Sequence, residues 1–202
     1  MAPRITLRKY LQADALFATI RAAFARILDH RPGDITIALG DVLMSAFAMF
    51  SLKDPSLLAF DQRRKDPQKV RNLTTVYHID TVPCDTEMRE VLDPVNPHDL
   101  APIYREVFRQ LQRGKALESF VFLNGCYLLS VDGTHYFSSK TIHCDACLTS
   151  TNATTGEVTY SHQLLGAAIV HPDRAEVIPV FPEPITRQDG AEKNDCERNA
   201  SK

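Results

Sequence analysis

The chain has 202 residues, 44% hydrophobic and 24% charged, with a formal net charge of −2. That balance is ordinary for a soluble globular protein. It supplies no global cationic field for nucleic acid or membrane, so any basic surface has to be local. The length allows one large domain or two small ones. No apolar run approaches the roughly 20 residues of a membrane span. Met1-Ala2-Pro3-Arg4 leads into an amphipathic segment without a secretory apolar region, so the expected location is cytoplasmic. Cys84, Cys126, Cys144, Cys147 and Cys196 are odd in number and irregular in spacing, which argues against a disulfide framework.

Leu7 to Asp29 carries Leu7, Leu11, Leu16, Ile20, Phe24, Ile27 and Leu28 at helical spacing, and Arg31-Pro32-Gly33 ends it. Val42 to Phe50 is apolar nearly all round, which predicts a helix buried on most sides at the centre of an N-terminal domain. Asp54-Pro55 reads as an N-cap followed by Pro at the first helical position, and Asp66-Pro67 repeats the signal. Cys84-Asp85-Thr86 opens a helix through Leu92. Asn96-Pro97-His98-Asp99 precedes another that runs to a stop at Gly114. Residues 1–114 are thus expected to be all-helical.

The pattern changes near Glu118. Phe120 to Leu123, Tyr127 to Asp132 with His135-Tyr136-Phe137 beyond it, Tyr160 to Val170 and Glu176 to Phe181 read as strands of an antiparallel meander. Thr149 to Val158 reads as a surface turn. Pro179 places the last strand at an edge or ends it there. Ala191 to Lys202 reads as the start of a polar helix. The predicted class is α+β, with residues 115–202 forming the second domain. Few strands and one helix cannot close a balanced layer, so the chain is expected to be part of a longer protein.

Three groups of residues carry chemistry. Tyr127 to Thr134 is an apolar run that ends in Asp132-Gly133, so Asp132 is expected at the open end of a buried strand. There it either caps a turn with Gly133 or ligates a hard cation. Arg63, Arg64, Lys65, Lys69 and Arg71 form a local basic cluster, either a solvated helix face or a set of phosphate-backbone contacts. His143-Cys144-Asp145-Ala146-Cys147 contains one C-x-x-C, half of a structural zinc site. His143, His162, His135 or Cys196 are the residues that could complete it.

The stretch Leu129-Ser130-Val131-Asp132-Gly133-Thr134-His135-Tyr136-Phe137-Ser138-Ser139 resembles the first catalytic strand of bacterial insertion-sequence transposases of the DDE type. The resemblance extends through 142–147, 160–167, His171-Pro172-Asp173, 177–179, 182–185, Gln188-Asp189-Gly190 and 193–200. It also takes in 44–61 and 86–93, and so covers most of the chain.

It implies a ribonuclease H-like catalytic domain in which three acidic residues hold two divalent cations, magnesium by preference. Asp132 maps onto the first of them. The second Asp and the Glu belong to a later strand and a later helix, beyond Lys202, and Glu183, Asp189, Asp195 and Glu197 do not occupy those positions. The implied activity is metal-dependent cleavage and transfer of DNA strands at mobile-element ends, in a protein that can form homo-oligomers. The fragment itself is expected to be inactive. The rival expectations are a non-catalytic DNA-binding or regulatory relic that uses the basic cluster, and a zinc-stabilised interaction module.

Overall fold

The computed structural model describes residues 9–186, which fall into two compact units that meet between Ala116 and Leu117. The expected helix 191–202 and Cys196 lie outside the described residues.

The first unit is helical. A short 3-10 turn, Lys9–Leu11, leads into α1, Ala13–Phe24. This helix is shorter than its apolar stripe predicts. The amides of Arg26 and Ile27 bond three residues back, at 3.1 and 3.0 Å, and the chain leaves the helix with Leu28 fully in solvent. Helix α2, Leu39–Ser51, is the expected centre: Val42, Met44 and Ala48 are wholly buried. Burying a side chain of the size of Val or Met stabilises by about 1.5–3 kcal/mol.

Helix α3, Leu57–Arg64, starts later than the Asp54-Pro55 signal predicts. Ser56 is its N-cap, accepting from the amide of Ala59 at 3.1 Å. Asp54 instead accepts two 2.7 Å hydrogen bonds from the Arg63 guanidinium. Helix α4, Pro67–Tyr77, begins as read: Asp66 accepts from the amides of Gln68 and Lys69. Helix α5, Asp85–Leu92, is capped by the Cys84 sulfur, and α6 spans Ala101–Arg113.

Around α2 the core gathers Ile20, Phe24, Phe60, Leu73, Ile79, Met88, Val91 and Ile103. Tyr77 stacks on Phe17 at 5.0 Å and its hydroxyl lies 3.0 Å from Ser51 Oγ. Two carboxylates among the described residues of this unit are buried, Asp41 and Asp61. Asp41 pairs with Arg21 at 2.6 Å and accepts from the amide of Thr81 at 3.0 Å.

Just past α2 and α4 the chain turns through left-handed backbone at Lys53 (φ 57°) and His78 (φ 56°). After α6 the left-handed residue is Lys115, at φ 60°. Gly114 is therefore not the left-handed stop that a glycine there predicts. It has φ −75°, and what requires glycine is space: a Cβ would run into the side chain of Leu11.

The second unit is a five-stranded antiparallel sheet built on β3, Val158–Val170. One edge of β3 is lined along its length by β1, Leu128–Ser139. The other edge takes β2 (Leu148–Thr151), then β5 (Glu183–Ile185), then β4 (Ile178–Pro179).

Two strand expectations are corrected here. Phe120 to Leu123 is not a strand: Leu117–Phe120 is a 3-10 turn, and Asn124-Gly125 turns the chain with φ of 56° and 78°. That left-handed pair sits inside the five-residue connection that a single Val121–Tyr127 bridge closes. Thr149 to Val158 is turn only from Asn152 to Glu157, because β2 occupies its beginning. Glu176 to Phe181 pairs with β3 at Ile178 and Pro179, and the Val180 amide adds one bond to the Ala167 carbonyl at 2.8 Å. Among the described residues, no helix is long and apolar enough to cross a membrane.

Candidate functional site

Asp132 does not sit at a strand end. It lies mid-strand in β1, directly opposite Gly166 of β3, and β1 runs on through Gly133 to Ser139 without a turn. The turn-capping alternative is therefore corrected, and so is the expectation of a strand buried on both faces. No residue of β1 is buried. The carboxylate can stay in water at mid-strand, so the cost that would have forced it to a strand end does not arise. Directly opposed residues share a face of the sheet. Gly166 offers no side chain there, so the cross-strand flank of Asp132 is open. The Asp132 side chain has no hydrogen-bond or ion-pair partner among the described residues, and belongs to no group of three metal-ligating side chains.

The basic cluster lies on α3 and α4 and is largely neutralised. Arg63 is held by Asp54, and Arg64 and Lys65 both bind Asp61, at 2.9 and 2.7 Å. Their hydrogen bonds hold the Asp61 carboxyl below its ordinary range. Lys69 lies 3.4 Å from Asp66. Arg71 is exposed and has no carboxylate partner among the described residues.

The C-x-x-C is the one place where the structure gathers three ligand-type side chains, among the described residues. Cys144 Sγ and Cys147 Sγ are 3.8 Å apart, and each lies 3.3 Å from His162 Nε2. Sheet register explains the meeting. β2 pairs Leu148 with Ser161, so Cys147, one residue earlier, falls opposite His162. On the other side of β3, Phe137 is the partner of His162. Of the three candidates among the described residues, His143, His162 and His135, the structure selects His162. The His143 ring instead stacks on Tyr160 at 4.2 Å, and His135 pairs with Gln163.

The β1–β3 register shifts by one residue between His135 and Phe137. Two residues of β1 thus face one of β3, a bulge that re-aims side chains. Tyr136 and Phe137 both lie against the His162 ring, at 5.8 and 5.7 Å. Partial burial pushes the Tyr136 phenol up, and the two cysteine sulfurs add to the shift.

The cluster can hold a metal ion. With metal–sulfur bonds of about 2.3 Å and metal–nitrogen bonds of about 2.0–2.1 Å, tetrahedral geometry puts sulfurs about 3.8 Å apart and sulfur about 3.6 Å from nitrogen. The observed separations are within a few tenths of an ångström of both. The chain matches no family model, no curated protein and no solved structure.

The register links this cluster to Asp132. His162 and Gly166 are four residues apart on β3 and therefore on one face, about 13 Å from each other along the strand. Nothing in the sequence announces that bulge. The missed signal in this unit is Asn124-Gly125, a left-handed turn pair between the two segments expected as strands, Phe120 to Leu123 and Tyr127 to Asp132.

Proposed function

We propose that this chain is the N-terminal part of a DDE transposase, acting in the bacterial cytoplasm on the DNA ends of its own mobile element. The observation that carries the reading is Asp132: an exposed carboxylate on a long paired strand, with Gly166 directly opposite. A two-cation site for phosphoryl transfer needs oxygen ligands fixed on rigid elements and open to a phosphate.

Asp132 would supply one ligand to magnesium, and the remaining carboxylates would come from chain beyond Lys202. DNA contact falls to Arg71 and to the half-exposed Lys65 and Lys69, which can leave their carboxylates for phosphate, with Arg63 and Arg64 held behind them. The ion assigned to Cys144, Cys147 and His162 is zinc, which favours thiolate and imidazole donors. Assembly as a homo-oligomer on two element ends belongs to the same reading.

The test is cleavage of the element's end sequence with magnesium, using a chain long enough to carry the later acidic residues. Asp132→Asn is expected to keep DNA affinity and cut at least 100-fold more slowly, a loss of about 2.7 kcal/mol in transition-state stabilisation. Cleavage by the variant at the wild-type rate would sink the proposal.

One observation favours a second reading, a DNA-binding or regulatory relic: Asp132 stands apart from any cluster of metal ligands among the described residues. Salt-sensitive DNA binding, weakened by Arg71→Ala, with no cleavage by the longer chain would support it.

A further inference from the structure

We propose that one Zn2+ bound by Cys144, Cys147 and His162 locks the bulge in β1, and thereby decides which face of the sheet presents Asp132. The inference uses the zinc assignment made above but is independent of DNA cleavage.

The argument starts from what does not hold β1 in register. Register is strongly specified only where one face of a strand is buried, and a slip of one residue moves every side chain to the other face. β1 buries none of its residues, and Leu129 and Val131 are 58% and 47% exposed. Its hydrogen-bond ladder alone cannot tell one register from the next.

The bulge is where the choice is made. Beyond it, Phe137, Ser138 and Ser139 pair with His162, Ser161 and Tyr160. If that pairing continued regularly toward the start of β1, Asp132 would oppose Ala167 and point to the opposite face. The bulge restores the pairing of Asp132 with Gly166.

The bulge rests on His162. Its ring packs against both residues that share the position, Tyr136 and Phe137. The same ring carries the nitrogen that meets the two sulfurs. A metal there fixes the imidazole from the side of β2 and ties the 140–147 connection to β3, so the ring becomes a rigid seat for the doubled residue. The backbone amide of Cys144 donates to Cys147 Sγ at 3.3 Å, which holds the two ends of the C-x-x-C together. Three ligands lie among the described residues, which leaves the fourth position of a tetrahedral site open.

The test uses the whole chain. Zinc content is measured for the wild type, Cys144→Ser/Cys147→Ser and His162→Ala, and the pairing of β1 is read by cross-strand NOEs. About one zinc per chain is expected in the wild type and none in the variants. With zinc, NOEs join the Asp132 and Gly166 backbones; after chelation, or in His162→Ala, they are expected to vanish. Signals of the helical unit should stay in place, which separates loss of register from general unfolding.

His162→Cys keeps three ligands but removes the ring that seats the bulge, so it should bind zinc and still lose the Asp132–Gly166 pairing. A wild type without zinc, or with Cys144 and Cys147 joined as a disulfide, would overturn the proposal. So would Asp132–Gly166 pairing that survives complete removal of the metal.

Discussion

The two units of this chain solve the problem of staying folded in different ways. The helical unit surrounds one helix, α2, with apolar side chains from every neighbour, and its two buried carboxylates, Asp41 and Asp61, are both paired with cations. The sheet unit has few buried side chains, among them Leu165, Ile169, Ile178 and Ile185, and leaves Leu129, Val131, Tyr136, Ile142 and Val177 in solvent. Packing fixes the first unit residue by residue, because close-packed interiors register even the loss of a methylene. Ladder hydrogen bonds hold the second, and these say that strands pair without saying which residue meets which. The unit with the deep core carries the neutralised basic cluster. The loosely specified unit carries both candidate ligand positions.

The contrast can be broken most directly at Asp41. Its side chain is 4% exposed and has Arg21 as its ionic partner. Asp41→Ala leaves the quarter-exposed Arg21 guanidinium with only Asp80, at 3.7 Å, and takes the acceptor from the amides of Asp80 and Thr81, and should cost about 2–3 kcal/mol. Urea unfolding followed by a probe in the helical unit reads the change; a cost below about 1 kcal/mol would mean that the pair contributes little to that unit.

A smaller effect is expected at Asp29. Hydrogen bonds from Arg31 lower its carboxyl to about 2, against the opposition of partial burial. A carboxyl depressed in the folded state stabilises above its unfolded value and loses that stabilisation as pH falls through the folded one. The helical unit should therefore weaken between about pH 4 and pH 2, by about 1–2 kcal/mol. Asp29→Asn should flatten that part of the pH–stability curve, and an unchanged curve would count against the pair.

The smallest effect belongs to β1. Val131→Ala should shift stability by no more than about 0.5 kcal/mol, as at ordinary surface positions. A thermal-melt difference corresponding to several kcal/mol would show that something covers this strand.

Reading from sequence succeeded where burial and period agree. The unbroken apolar run of 42–50 could only be a helix wrapped on most sides, and Asp66-Pro67 opened α4 because both residues did what their chemistry favours. Asp54-Pro55 carried the same two letters and failed, because Arg63 drew the carboxylate away and Ser56 was free to cap.

In the second unit the apolar letters of Tyr127 to Val131 read as burial, yet the strand lies open; hydrophobicity along the chain cannot tell whether another layer is present to cover it. The C-x-x-C was legible, and the choice of His162 was not. That choice depends on β2 meeting β3 with Leu148 opposite Ser161, a register that no spacing in the sequence encodes.

The left-handed residues after α2 and α4 have a consequence for how much stability this protein leaves unused. An L-residue in that conformation costs about 1–2 kcal/mol, which is why glycine usually closes a helix there. Lys53 and His78 carry that cost just past the ends of two helices within the helical unit. Glycine at both would relieve it, at the smaller expense of a freer unfolded chain. The unit thus keeps a reserve of roughly 0.5–1 kcal/mol at each terminus, available to an engineer without disturbing the core, the cysteines or Asp132.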